Sequence, residues 1–190
     1  MNYRESSEKL AAYRRQIREL REEMRVVQRA IEPEPVQDYT FRRAGGTVKL
    51  SELFGSKDTL FVIHNMGASC PYCTLWADGF NGVYEHLRNR ASFVVASPDA
   101  PEKQQTFAQS RGWRFPMVST EETTFAQDMG YWRDNGPIPG LSVFKLSNGR
   151  ILRVADTSFS PGDDFCVVWH FLDLIPEGAD GWQPKYKYAG

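Results

Sequence analysis

Two cysteines separated by a proline and a tyrosine, Cys70-Pro71-Tyr72-Cys73, constrain this chain more than any other feature. Thiols at that spacing can form and release one disulfide without moving the fold that carries them. Before the pair, Leu60 to Met66 is a short apolar run rich in strand formers. After it, Trp76, Phe80, Val83 and Leu87 recur at helical spacing. The motif therefore falls at a strand-to-helix junction. There the first cysteine meets unpaired backbone N–H groups and the positive end of the helix dipole, both of which favour a thiolate over a thiol. A dithiol so placed implies redox chemistry.

The rest of the chain divides around this junction. Residues 7 to 31 place Leu10, Tyr13, Ile17, Leu20, Met24, Val27 and Ile31 at alternating steps of three and four. This predicts a long amphipathic helix whose narrow stripe suits a coiled-coil seam or a helix laid across a domain. The Arg14, Arg15, Arg18, Arg21 run is then its solvated face. Glu32-Pro33-Glu34-Pro35 ends the helix, because proline disfavours helix at the residue before it and removes a donor. The expected organisation is a helix over 1–32, a linker over 33–38, an α/β domain over 39–178 and a tail over 179–190. Within the domain, Tyr39 to Arg43 and Thr47 to Leu50 flank Ala44-Gly45-Gly46 as a hairpin. Strands are expected at 60–66, 91–96 and 115–119 with a helix at 101–111 between the last two, and a short helix follows at 123–129. Leu141 to Lys145 and Arg150 to Val154 flank Ser147-Asn148-Gly149 as a second hairpin. Asp163 and Asp164 are placed to cap a last helix from Phe165 to Leu174.

The chain's 190 residues are enough to bury a core without a disulfide or metal staple. A formal charge of −1 creates no field to gather nucleic acid or an anionic membrane. No apolar run approaches the roughly 18 residues of a membrane span, and the charged N-terminus is unlike a signal peptide. The sequence is thus read as cytoplasmic. Its three cysteines argue for thiols kept reduced or cycling.

The order βαβ, helix, hairpin, helix around Cys-x-x-Cys resembles the thioredoxin fold, a central mixed sheet flanked by helices. Ile138-Pro139 directly precedes the strand at 141–145, ahead of an Asn-Gly turn. This resembles the thioredoxin segment in which a cis-proline faces the active-site disulfide and neighbouring backbone pairs with an incoming chain. The resemblance makes Pro139 the expected cis position, with Pro137 second. Thioredoxins carry a buried carboxylate six residues before the first cysteine, and His64 stands there in this chain. An imidazole could take a proton from Cys73, or His64 could be a strand histidine satisfied by a local partner.

Further segments extend the likeness over nearly the whole chain: the charged N-terminal helix, Leu50-Ser-Glu-Leu-Phe, Cys70-Pro-Tyr-Cys-Thr-Leu-Trp-Ala-Asp-Gly-Phe-Asn-Gly, Arg111-Gly-Trp-Arg-Phe-Pro, Pro139-Gly-Leu-Ser-Val-Phe and the Trp/Tyr tail. Together they resemble a thioredoxin-like bacterial family of unknown function described as predicted dithiol-disulfide oxidoreductases. The resemblance implies Cys70 as nucleophile and Cys73 as resolving thiol, acting on a protein or small-molecule disulfide with no cofactor or metal.

Other readings compete. Peroxiredoxins need Thr or Ser three residues before the reactive cysteine and proline seven before it. Cys70 has Gly67 and Ile63 at those positions, and Cys73 has Cys70 and Met66. Glutaredoxins share the spelling Cys-Pro-Tyr-Cys, but their Gly-Gly-Asp signature is missing. Zinc would need four ligands, and Cys70, Cys73, Cys166 and a histidine supply no second close pair. A non-catalytic scaffold is the remaining alternative, with residues 7–31 as a route to homodimerisation. Cys166 reads as a buried free thiol, and His86 and His170 as surface or packing residues.

Overall fold

The computed structural model describes residues 2–134 and 136–188. It separates into two compact units, 1–33 and 34–190. The first is a single helix, α1 (Tyr3–Arg29), with no buried residue. It begins four residues earlier than periodicity suggests, because Asn2 forms a capping box. Asn2 Oδ1 accepts the Glu5 N–H at 2.9 Å and the Glu5 carboxylate accepts the Asn2 N–H at 3.2 Å.

The second unit is a mixed eight-stranded sheet with helices packed on it. In chain order its elements are β1 (Glu34–Val36), β2 (Thr40–Arg43), β3 (Gly46–Lys49), a 3-10 turn (Leu50–Phe54), β4 (Thr59–His64), α2 (Pro71–Arg90), β5 (Ser92–Ser97), α3 (Pro101–Arg111), β6 (Met117–Ser119), α4 (Phe125–Asp128), β7 (Trp132–Arg133), β8 (Gly136–Pro137), β9 (Gly140–Ser147), β10 (Arg150–Ser158) and α5 (Val167–Leu172). The sheet order is β1-β10-β9-β4-β5-β6-β2-β3, with β7 and β8 forming a separate ribbon. β4, β5 and β6 run parallel and the flanking strands antiparallel, so the expected thioredoxin-like α/β architecture is the one present.

Strand alternation divides the core in two. Leu60 and Val62 of β4, with Val94 and Ala96 of β5, meet Phe125, Tyr131 and Phe144 on one face. Phe61 and Ile63, with Phe93 and Val95, meet Trp76, Ala77 and Phe80 of α2 and Trp169 of α5 on the other. Burying each large apolar side chain of this kind contributes about 1.5–3 kcal/mol.

Two local expectations are corrected. The segment 33–38 is no linker throughout: β1 pairs with the edge strand β10, Val36 opposite Ile151, and Arg153 binds the Glu34 carboxylate. The last helix spans Val167–Leu172, not 165–174, and Asp163 does not cap it. Instead its carboxylate accepts the N–H groups of Ser160 at 3.1 Å and Phe165 at 2.9 Å, closing the preceding turn.

Candidate active site

The loop from β4 to α2 is held by a local hydrogen bond and by bonds to β5 and the segment after it, which together deliver Cys70 to a helix start. Asn65 continues the β4–β5 pairing through its N–H to the Ala96 carbonyl, 2.9 Å. Its side chain turns back to accept the Gly67 N–H at 2.7 Å. Gly67 sits at φ +101°, and a Cβ there would lie 2.7 Å from the Asp99 carboxylate, so only glycine fits. That carboxylate accepts the Ala68 N–H at 2.6 Å and pairs with Lys103 at 2.5 Å. The loop is therefore pinned to the segment following β5.

Cys70 is the N-cap of α2, with Pro71 at the first helical position, where a missing N–H costs nothing. The Cys70 sulfur accepts the Cys73 N–H at 3.0 Å, and the Cys73 sulfur accepts the Met66 N–H at 3.4 Å. All three cysteines are free thiols. Cys70 is pulled down to about 7, first by the Cys73 thiol as a hydrogen-bond donor and then by backbone N–H groups, against some burial. Cys73 is pushed up strongly, by its hydrogen bond to Cys70, by burial and by the Cys70 charge. The pair therefore holds one proton on Cys73 and a thiolate on Cys70 near neutral pH.

The structure brings Cys70 and Cys73 together but does not bring His64 to them. His64 has the parity of Leu60 and Val62, so its ring enters the core on the face away from α2. It stacks on Tyr131 with ring centroids 3.8 Å apart, and its Nε2 lies 2.9 Å from Ser142 Oγ. Burial drives its pKa down to about 3, with a smaller contribution from Arg153. The base position expected for Cys73 is thus a neutral packing histidine with a local partner.

No peptide bond among the described residues is cis, so the expectation of a cis bond at Pro139 or Pro137 is corrected. Pro139 precedes Gly140, which pairs with His64 at the sheet end from which the Cys70 loop departs. Its carbonyl accepts the Phe159 N–H at 2.9 Å. Gly140 itself is required: a Cβ there would strike the Tyr131 ring and the Thr157 carbonyl.

Aromatic residues surround the other side of α2. Trp76 donates its indole N–H to Asp163 at 3.3 Å, and Tyr72 packs against Trp76 and Trp169. Cys166 lines an apolar cavity of about 720 Å³ between α2 and α5, and burial pushes its thiol upward. Among the described residues no three His, Cys, Asp or Glu side chains converge as a metal site.

Asn65, Gly67, Asp99 and Lys103 were not evident from the motif. A signal for two of them existed: β4 and β5 are parallel neighbours, so the loops after their C-terminal ends, which carry Gly67 and Asp99, must lie side by side.

Comparison with known proteins agrees with this architecture. A family model described as bacterial protein of unknown function (DUF899) matches residues 1–189. No curated protein matches the chain. Similar solved structures include the peroxidoxin BcpB of Mycobacterium tuberculosis, at 26% identity and TM-score 0.56 over 67% of this chain and 86% of that one. A PrxQ variant of Xylella fastidiosa is similar at 14% identity and TM-score 0.58, over 68% and 87%. A yeast mitochondrial 1-Cys peroxiredoxin is similar at 13% and 0.54, over 68% of each chain.

Proposed function

We propose that this chain, which belongs to the bacterial family of unknown function DUF899, is a thiol–disulfide oxidoreductase with Cys70 as nucleophile and Cys73 as resolving thiol. The observation that carries this reading is the asymmetric pair at the start of α2, one sulfur activated by the neighbouring thiol and then by helix N–H groups, the other holding the proton.

The Cys70 thiolate attacks one sulfur of a substrate disulfide, forming a mixed disulfide and releasing a thiolate that takes up a proton. The Cys70 charge is then gone. With it go the hydrogen bond and the repulsion that kept Cys73 protonated, so the Cys73 thiol loses its proton more readily without a histidine beside it. The Met66 N–H stabilises the resulting thiolate, which attacks Cys70 and expels the second substrate thiol. Two electrons pass to the substrate and the pair becomes a disulfide. The reverse sequence oxidises a substrate dithiol.

A second reading is favoured by one observation, the likeness to peroxiredoxin structures. In it the Cys70 thiolate attacks a peroxide, releasing an alcohol or water and leaving a sulfenic acid that Cys73 condenses with, expelling water. Ile63 and Gly67 stand where those enzymes carry proline and a hydroxyl residue, which weighs against it.

The deciding experiment equilibrates the protein anaerobically in dithiothreitol redox buffers and maps free thiols with an alkylating mass tag. Cys70 and Cys73 are expected to gain and lose tags together as a two-electron couple, with Cys166 unresponsive. A pair that stays reduced throughout defeats the proposal. Oxidation by stoichiometric hydrogen peroxide, faster than by a disulfide at equal concentration, would favour the second reading.

A further inference from the structure

The exposed large apolar side chains of the 34–190 unit are not scattered. Trp132 belongs to the β7–β8 ribbon, and the Tyr188 hydroxyl accepts the Lys185 N–H within the tail. Tyr186 is tied to α3, where its carbonyl accepts the Arg111 guanidinium at 2.8 Å and its ring meets Phe107 edge-on. Val83, Phe165, Val167, Phe171, Leu174 and Ile175 remain, all on α2, α5 or the residues bordering α5, with Phe171 and Leu174 exposed by 69% and 74%. Three of them, Val83, Phe165 and Val167, line the cavity of about 720 Å³ between α2 and α5. Such a gathering of exposed apolar side chains marks an interaction surface.

The two walls of this groove describe what fits it. Leu75, Gly79, Val83 and Leu87 line it at every fourth residue of α2, one ridge of the helix surface. Gly79 and Gly82 lie inside α2, where glycine weakens a helix, and a Cβ on either would meet nothing within 4 Å. Packing within the unit gives no reason for either glycine, whereas a second backbone can approach closely where side chains are missing. The α5 wall is acidic. From Phe159 to Pro184 the chain carries Asp163, Asp164, Asp173, Glu177 and Asp180 and no lysine or arginine.

The chain also carries a helix of matching character. α1 has 27 residues and none buried. At 1.5 Å per residue its stripe from Leu10 to Val27 spans about 25 Å, against about 18 Å for the row from Leu75 to Leu87. In heptad terms the stripe is flanked by Lys9, Arg14, Gln16, Arg21, Glu23 and Gln28. A parallel pair of α1 helices would set Lys9 against Arg14 and offer no opposite-charge pair along these flanks. An acidic wall suits them, above all the half that carries Lys9, Arg14 and Arg21.

We propose that the groove between α2 and α5 receives α1 of a second copy, reciprocally, so that two helix-in-groove contacts close a two-fold dimer. The apolar stripe of α1 covers Val83, Val167 and Phe171, its backbone passes over Gly79 and Gly82, and its basic half lies along the acidic segment 164–180.

The test compares the full chain with Gly79→Leu by sedimentation velocity over a concentration series. The space beside Gly79 admits the added side chain, and leucine favours the helix, so the thermal midpoint and the Cys70–Cys73 couple serve as controls on the fold. The full chain is expected to dimerise, and Gly79→Leu to raise the dimer dissociation constant at least tenfold with both controls unmoved. Carbodiimide cross-linking of mixed 15N-labelled and unlabelled full chains is expected to join Lys9, the single lysine of α1, to a carboxylate of 164–180 in a differently labelled copy. A full chain that is monomeric at every concentration overturns the proposal, as does a dimer that Gly79→Leu leaves equally tight. Cross-links from Lys9 to Glu23 of another copy would assign the dimer to α1 alone. Lys9 cross-links confined to one copy would place the helix on its own domain. Either result overturns it too.

Discussion

At the residue scale the dithiol works through one proton and two sulfurs. The largest influence lowering Cys70 is the Cys73 thiol, ahead of the backbone donors. Cys73→Ala is therefore expected to move the Cys70 alkylation midpoint up from about pH 7 toward the ordinary thiol range, whereas Cys73→Ser, which keeps an O–H donor, should move it less. Equal midpoints in all three proteins would show that the helix terminus alone sets the thiolate. His64 gives a second test, of stability. Its folded pKa of about 3 lies below the unfolded value of about 6.5, so its contribution is fully present above pH 6.5. As pH falls from there toward 3, the unfolded chain binds a proton that the buried ring refuses, and stability declines with a limiting slope of about 1.4 kcal/mol per pH unit. Denaturant unfolding at pH 7 and pH 5 should show a larger loss in the unmodified protein than in His64→Gln, by about 1–2 kcal/mol. Parallel losses would mean that the ring is protonated in the folded state. Cysteine spacing announced the pair. Position groups His64 with Leu60 and Val62 by strand parity, but which of the two faces α2 covers is decided by the packing of the helix on the sheet, so its distance from the dithiol did not follow.

At the element scale, the hairpin at Asn148-Gly149 was readable because both residues need positive φ, 50° and 75°, which an Asn-Gly pair accepts readily. β1 was not readable. Three residues preceded by Pro33 and interrupted by Pro35 carry no period, and Glu34-Pro35 reads as a breaker until its partner is known. On an edge strand the missing N–H of Pro35 does no harm, and Arg153 and Ile151 hold the register. Removing β1 exposes the open edge of β10, so a chain beginning at Tyr39 is expected to unfold at lower denaturant concentration than one beginning at Glu34. Each surface ion pair is worth about 0–1 kcal/mol, so most of the difference should come from strand pairing and burial of Val36. Coincident transitions would show that β1 contributes nothing to the sheet. The shorter α5 has a similar origin: Asp163 looks like a cap in sequence, but its carboxylate is already engaged by the turn before the helix and by Trp76.

At the scale of the whole molecule, two features lie outside the dithiol chemistry. No helix of the described residues is long and apolar enough to cross a membrane. The α1 stripe, from Leu10 at 50% exposure to Val27 at 67%, finds no burial within its own helix, and a lone helix cannot bury its own apolar face. Pairing of α1 with a second copy is the proposal that follows. Sedimentation velocity is expected to show the full chain as a dimer and a chain starting at Glu34 as a monomer, whereas equal states in both would assign any self-association elsewhere. By itself the sequence determined the long helix, the alternation of strands and helices, the two hairpins and the cysteine pair at a strand-to-helix junction. All of these are local, written in periodicity, turn chemistry and spacing. Tertiary structure alone decided that Asp99 pins the Cys70 loop, that His64 belongs to the opposite core, that Glu34–Val36 closes the sheet edge, and that the tail returns to α3. Each of these joins segments far apart in the chain, and no local pattern records which distant backbone will complete a hydrogen bond or cover a ring.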